Sequence, residues 1–252
     1  MSTVDISLAA SYSCAEAAGA DLRTVAREFT PRKVMRFLDG ASLAPFVAAA
    51  IVYRRNPCCD PARVALYTVS GWDGAQPDPP FTPDGSAADD IRLGRHILED
   101  ANPTGWLRML GNNALCQVSI LEGFRGPNAH LVGDAHALWQ ALVTAGADLA
   151  SGAADLAIVL AYDPPEEERG NPSDRTTSSA TAVALTADGG PDVLATLLAD
   201  TETAARSGCG ALAALETALA AVGKTTPETA PEPVGDNGGT ELGAAPADLG
   251  RA

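Results

Sequence analysis

The stretch that constrains this chain most is residues 112–142, which read as a helix, a turn, a short strand, a sharp bend and a second helix. The strand is Asn128–Val132, and the bend consists of Gly133, Asp134, Ala135 and His136. A strand-to-helix bend of this kind is where α/β enzymes hold an exposed nucleophile, beside the positive end of a helix. None of the four bend residues is a strong nucleophile. The sequence therefore predicts the shape of a catalytic elbow without its chemistry.

Strands and helices alternate over residues 1–223. Nearly continuous apolar runs, such as residues 63–70 and 155–162, are typical of strands that are covered on both faces. The alternation predicts an α/β fold with a mostly parallel sheet flanked by helices. Further strands are predicted around residues 4–8 and at 179–186, and helices at 42–53 (with Pro45 in the first turn), 89–99, 136–150, 193–205 and 211–222.

Composition separates a C-terminal tail from the rest of the chain, and the net charge argues against two classes of binding partner. Residues 224–252 are rich in Pro, Glu, Thr, Gly and Ala without periodicity, which predicts a disordered tail after a single domain at residues 1–223. The formal net charge of −15 argues against a general affinity for nucleic acid or anionic membranes. No apolar run is long enough to predict a membrane span.

Five cysteines, an odd number without C-x-x-C spacing, indicate reduced thiols in a cytoplasmic protein. We expect no metal site and no cofactor. Cys116 lies in an apolar helix and is expected to be a buried thiol, with a nucleophile as the alternative. The first residues lack a basic region before an apolar run, so no signal peptide is expected.

Several short motifs follow one another in the order of the N-terminal half of a β-ketoacyl synthase. They are Asn102-Pro103, Asn112-Asn113, the Phe-Arg-Gly-Pro-Asn turn at 124–128, the bend, and Gly-Ala-Ala-Asp at 152–155. Residues 32–50 are similar to the arginine-led first helix of that family, and residues 179–186 to the closing strand of its first half. The resemblance covers about residues 30–190. It implies a thiolase-like fold, of which this chain would be the N-terminal half.

Two departures from the family pattern bear on activity. Counted from Gly126-Pro127, the nucleophilic cysteine of the family falls on Ala135, and the Glu-Ala-His-Gly-Thr-Gly and Gly-His motifs of the second half do not occur. A methyl group cannot form a thioester. The chain thus resembles the non-catalytic chain length factors, in particular the short ones of aryl-polyene and type II polyketide systems, in fatty-acid-like biosynthesis.

The resemblance implies a heterodimer with a full-length catalytic ketosynthase. The strand before the elbow would pair antiparallel with its counterpart in the partner, through Asn128, Ala129, His130, Leu131 and Val132. With half of the duplicated fold missing, helix faces should be bare, which predicts pairing that is close to obligate. Trp106 and Met109 would point toward the partner's acyl tunnel and limit chain length. The alternative is that both side chains fill the core.

An acyl carrier protein is the second partner that the resemblance implies, docked mainly on the ketosynthase. Basic residues are concentrated between Arg23 and Arg63, where they could help to hold an acidic carrier protein or form a solvated rim. The docking candidates are Arg32, Lys33, Arg36, Arg54 and Arg55.

The sequence is also compatible with two other functions. One is an acyltransferase or thioesterase-type enzyme that uses Cys116 or another nucleophile, and the other is a free-standing module that docks acyl carrier proteins. At the bend, Asp134 and His136 could be a base with its orienting group. A polar cap at the helix N-terminus is the simpler interpretation.

Overall fold

The computed structural model describes residues 4–14, 21–38, 40–56, 59–72, 82, 84–100, 107, 110–163, 179–188 and 190–223, which form a mixed sheet with helices on both faces. The strands are β1 (Ser7–Cys14), β2 (Val64–Ser70), β3 (Asn128–Val132), β4 (Leu156–Asp163) and β5 (Ser179–Thr186). The helices are α1 (Leu22–Phe29), α2 (Gly40–Arg54), α3 (Ala87–Arg95), α4 (Asn113–Glu122), α5 (Ala135–Ser151), α6 (Leu194–Arg206) and α7 (Ala211–Gly223). Two 3₁₀ turns (Val34–Arg36 and Pro61–Arg63) and a π-helical turn (His96–Asp100) accompany them.

The strand order in the sheet is β1-β5-β4-β2-β3, with β1 and β3 at the edges. β2 pairs in parallel with β4 on one side and with β3 on the other. β5 is antiparallel to both of its neighbours, β1 and β4. All seven residues of β2 are buried, as expected for a strand covered on both faces. The predicted α/β fold class, a sheet flanked by helices, is confirmed, but the sheet is mixed rather than mostly parallel, because two of its four strand pairs are antiparallel.

Two apolar cores lie on opposite faces of the sheet. On one face, α1, α2 and α4 pack around Phe46, Leu66 and Tyr162. α2 is apolar on all sides, so that eleven of its fifteen residues are buried. On the other face, α5, α6 and α7 pack around Leu138 and Leu197. Both cores are rich in alanine, which lets the helices lie close to the sheet.

Among the described helices, α5 is covered on one side, which the expectation of bare helix faces does not include, whereas Ile91 on α3 is exposed. α6 and α7 fold back onto the sheet and pack against α5. Eight of the seventeen residues of α5 are buried between these two helices and the sheet. Trp139 and Val143 stay partly exposed on its outer side. The cover was not predictable because an Ala/Leu-rich helix carries no sign of the surface on which it packs.

Element bounds differ from the sequence predictions by more than one residue in three places. The first strand begins at Ser7 rather than near residue 4, because pairing with β5 sets its limits. α2 begins at Gly40, so that Pro45 lies inside the helix rather than in its first turn. The helix predicted at 89–99 becomes α3 and the π-helical turn. The predicted tail at 224–252 lies outside the described residues.

No helix in the described ranges combines the length and the apolar character that crossing a bilayer requires.

Gly126→Ala tests the close approach of the chain to β2. A Cβ at Gly126 would overlap the Val64 carbonyl oxygen, which belongs to the backbone and cannot rotate away. We expect the free energy of unfolding to fall by about 1–3 kcal/mol, as for other forced insertions into packed regions, measured by urea unfolding. Gly71→Ala, where a Cβ would meet nothing within 4 Å, is the matched control and should change stability by less than about 0.5 kcal/mol. Equal unfolding midpoints for the two variants would contradict the argument.

Candidate functional site

The bend between β3 and α5 forms the elbow that the sequence predicts. β3 ends at Val132 and α5 begins at Ala135. A Cβ on Gly133 would come within 2.9 Å of the Ala137 Cβ, so glycine lets the chain turn tightly onto the first turn of α5. The Ala135 side chain is fully buried. The side chain at the corner is therefore a methyl group that is packed inside the protein rather than exposed to solvent.

The polar side chains at the elbow cap the helix. Asp134 is the N-cap of α5, and its Oδ1 accepts the His136 backbone N–H at 2.8 Å. This hydrogen bond lowers the pKa of Asp134 below its ordinary value. The His136 Nδ1 lies 3.2 Å from the same carboxylate, and both side chains are exposed. The geometry supports the polar-cap interpretation of the pair over a base with its orienting group.

The Ala135 backbone N–H donates a hydrogen bond to another part of the chain. It donates to the Cys209 carbonyl oxygen at 3.2 Å, in the turn (residues 207–210) that joins α6 to α7. We call this segment the α6–α7 turn. Gly208 ends α6 at φ +71°, in the left-handed region that favours glycine. Sequence reasoning missed the contact because a backbone carbonyl carries no residue signature.

Next to the elbow, β3 carries a histidine that faces the α2/α4 side of the sheet. The His130 Nδ1 lies 2.8 Å from the Thr68 Oγ1 on β2, and its ring centre is 6.2 Å from that of Tyr162. Its Nε2 is buried. Burial lowers the pKa of His130 below its ordinary value. Sequence reasoning placed His130 only on an interface strand, although the two-residue period of a strand could have shown that it faces away from Ala129.

The second asparagine of the Asn112-Asn113 motif holds α4 against the start of α2. Asn113 is buried, and its Nδ2 donates to the Phe37 carbonyl at 2.6 Å and to the Ser42 hydroxyl at 3.2 Å. Its Oδ1 accepts from the Gln117 side chain at 3.4 Å. Because neighbouring groups use both of its polar atoms, this residue supports the fold rather than a ligand.

Three cysteine thiols in the described ranges have a raised pKa, which makes them poor nucleophiles. Burial raises the pKa of Cys14 to about 12 and also raises the pKa values of Cys59 and Cys116. A thiol with a raised pKa is almost fully protonated at neutral pH. Cys116 is half-buried rather than buried, and its raised pKa favours an unreactive thiol over the nucleophile alternative. No group of three or more His, Cys, Asp or Glu side chains in the described part of the chain could hold a metal ion.

Arg54 and Arg55, two of the docking candidates, contact other groups of the chain. Arg54 pairs with Glu122 at 2.8 Å and lies 4.8 Å from the centre of the Phe29 ring. Arg55 lies 5.3 Å from the centre of the Tyr12 ring. Both guanidinium groups therefore tie α2 to neighbouring elements.

The other three docking candidates are presented at the surface. Arg32, Lys33 and Arg36 are exposed at and just before the 3₁₀ turn Val34–Arg36. Exposed side chains on one turn form a small basic surface. The tunnel-gate candidates Trp106 and Met109 lie outside the residues that the structure describes.

His130 should make the stability of the chain depend on pH. Its pKa is lowered in the folded protein from 6.5, so the unfolded chain binds a proton first as the pH falls. The contribution of neutral His130 to the free energy of unfolding is complete above pH 6.5. It is lost as the pH falls from 6.5 toward the lower pKa that His130 has in the folded protein. His130→Asn keeps a polar group for Thr68 but removes the titrating ring. Urea unfolding at about pH 7.5 and 5.5 should show a larger loss for the wild type than for the variant, and equal losses would contradict the assignment.

No protein-family model matches the chain, and no curated protein matches it. Solved structures do match in shape. One is the ketosynthase ApeO in complex with its chain length factor ApeC from Xenorhabdus doucetiae, with 12% identity over 74% of this chain and 80% of that chain, and a TM-score of 0.48. Another is the ishigamide ketosynthase/chain length factor, with 14% identity over 81% and 68% of the two chains and a TM-score of 0.45. A third is the AntDE:AntF complex, a type II polyketide synthase acyl-carrier protein with its ketosynthase bound to the hexaketide, with 16% identity and a TM-score of 0.46.

The match to the AntDE:AntF complex covers 64% of this chain and half of the length of that chain. At these identities and TM-scores the likenesses assign no function, which has to be inferred from the chain's own residues and geometry. The chain is similar to these ketosynthase structures in shape.

Proposed function

We propose that the chain is a non-catalytic subunit, similar to a chain length factor, that pairs with a catalytic ketosynthase and shapes its acyl tunnel in polyene or polyketide biosynthesis. The observation that carries the proposal is the elbow. β3, the bend and α5 have the form of a corner that holds a nucleophile, and a buried methyl group, Ala135, stands at its tip. A corner that keeps its form without a reacting group fits a subunit whose fold serves pairing.

The residues at the elbow do not supply what thioester chemistry requires. Ketosynthase-type acyl transfer needs a thiolate at the corner and a neighbouring group that activates it. The Ala135 methyl group has no lone pair to attack a thioester. His136 faces Asp134 at the exposed end of the helix. The raised pKa of Cys116 argues against this thiol as a substitute.

The outer edge of β3 supports pairing with another protein. β3 is an edge strand, so one side of its backbone has no neighbouring strand within the described sheet. Val132 at its end is 53% exposed, and Trp139 and Val143 are partly exposed on the outer side of α5. We call the outer edge of β3 together with these three side chains the β3 edge patch. Unpaired backbone beside apolar side chains is stabilised by a partner that adds a strand to the sheet.

The segment of α3 and the π-helical turn exposes further apolar side chains. Leu98 is 85% exposed and Ile91 is also exposed. Among the described elements, α3 packs mainly against the π-helical turn. Apolar surface left in water costs about 25 cal/mol per Å². We infer that this segment also packs against the partner subunit.

Trp106 and Met109 are our candidates for the tunnel gate. Leu107 and Leu110, their neighbours in the chain, are exposed large apolar residues. Apolar exposure of these two neighbours supports a partner contact in this part of the chain. For Trp106 and Met109 themselves, core filling stays the alternative to the gate.

An acyl carrier protein would dock mainly on the ketosynthase. Arg32, Lys33 and Arg36 would add positive charge to that docking surface, since all three are exposed. Opposite charges on two surfaces raise the rate of association and orient the encounter. Arg54 contributes less in this proposal because Glu122 already pairs with it.

Co-purification with a catalytic ketosynthase from the same genome tests the pairing. Val132→Glu puts a charge on the β3 edge patch and should weaken the complex at least about 30-fold, the size expected when a central interface residue is lost. Ala9→Glu changes an exposed residue of β1, the opposite edge strand, and should pair like the wild type. A stable monomer with no affinity for the ketosynthase would contradict pairing and favour the free-standing docking module.

Incubation of the complex with a radiolabelled acyl carrier thioester tests catalytic silence. We expect label on the ketosynthase alone, because Ala135 has no atom that can be acylated. Autoradiography of the separated subunits gives the answer. Covalent label on this chain that disappears in Cys116→Ser would overturn the proposal and support the acyltransferase alternative.

A further inference from the structure

Two backbone N–H groups at the elbow are already bonded within the chain. Enzymes that transfer acyl groups at such a corner use backbone N–H groups there to hold the negative oxygen that forms during the reaction. Here the Ala135 N–H donates to the Cys209 carbonyl at 3.2 Å, and the His136 N–H donates to the Asp134 carboxylate at 2.8 Å. Both donors are therefore occupied by groups of the chain itself.

The Asp134 carboxylate also opposes a second negative charge at this end of α5. An acidic side chain at a helix N-terminus is stabilised by the positive end of the helix dipole. The His136 N–H lowers the pKa of Asp134, so the carboxylate is ionised at neutral pH. An oxyanion that approached the elbow would meet a like charge where a catalytic elbow offers a positive one.

The α6–α7 turn holds its carbonyl firmly in place. Within it, the Gly208 N–H donates to the Ala205 carbonyl and the Cys209 N–H to the Ala204 carbonyl, both at 3.1 Å. Ala205 and Ala211, on the two sides of the turn, are buried in the same core as Ala135. The turn is thus anchored by hydrogen bonds and by packing.

We propose that the α6–α7 turn is a built-in plug of the elbow, so that the elbow could neither hold an oxyanion nor expose a reactive side chain even if a cysteine stood at position 135. The chain is then silenced twice, by the residue at the corner and by the segment that closes it. The plug is independent of the pairing with a ketosynthase. A failed pairing experiment would leave it intact, and the reverse also holds.

Amide hydrogen exchange on the full wild-type chain, followed by NMR, tests the plug directly. N–H groups in the first turn of a helix have no intrahelical partner and ordinarily exchange quickly. We expect the Ala135 amide to exchange at least about 100-fold more slowly than an unstructured amide, because of its bond to Cys209. Exchange of this amide at the unprotected rate would overturn the proposal.

Two glycine variants separate the plug from general stability. Gly208→Ala strains the left-handed residue of the turn, whereas Gly210→Ala adds a Cβ that meets nothing within 4 Å. A left-handed alanine should speed exchange at Ala135 by about fivefold or more. The Leu66 amide, bonded to Pro127, is the internal reference and should change less than Ala135. Equal acceleration at Ala135 in both glycine variants would count against the plug.

Insertion of a thiol gives a second, chemical test. Ala135→Cys and Ala147→Cys place cysteines on the buried and the exposed side of α5. Alkylation by iodoacetamide, mapped by peptide mass spectrometry, should be at least about 100-fold slower at position 135, because alkylation requires an accessible thiolate. Equal rates in a folded Ala135→Cys chain would show an open elbow and refute the plug.

Discussion

The register of β3 against β2 is the constraint on which the site depends. Backbone hydrogen bonds hold it at both ends: the Leu66 N–H donates to the Pro127 carbonyl, and the Gly133 N–H donates to the last residue of β2, both at 2.9 Å. Between the turn and the strand, Gly126 lies so close to the β2 backbone that only a hydrogen atom fits in place of a side chain. A slip of one residue would turn every β3 side chain to the opposite face. The elbow, the inward position of His130 and the exposed edge all follow from this one pairing.

Local patterns made much of the fold predictable. β3 and β5 have the bounds that the sequence predicts, and Asp134 caps α5 as its position before an apolar run indicates. The direction of β5 was not predictable, because an apolar strand looks the same whether its neighbours run parallel or antiparallel to it. The cover that α6 and α7 give to α5 was missed for a related reason. It depends on packing between segments that are distant in sequence, and a helix pattern shows which face is apolar but not what that face meets.

The candidate site was predictable in its residues and less so in its contacts. The identity of Ala135 is read directly from the sequence, but the acceptor of its N–H is the main chain of Cys209, for which residue type gives no signal. Asn113 was noticed as part of a motif, yet its binding to the Phe37 carbonyl shows that it supports the fold. Arg54 is similar: its charge suggested a partner outside the chain, and Glu122 provides one inside it.

The order of the elements along the chain has a consequence for biosynthesis. Ser7 on the first strand and Thr186 on the last are 179 residues apart, yet their side chains are within hydrogen-bonding distance. α6 and α7, which close the second core, emerge from the ribosome later still. Until they do, the nascent chain carries a strand without its neighbour and a sheet with one apolar face uncovered. Contacts so distant in sequence slow folding and prolong the exposure of surfaces that aggregate. The order of the elements therefore lengthens the time during synthesis for which apolar surface is open to other molecules.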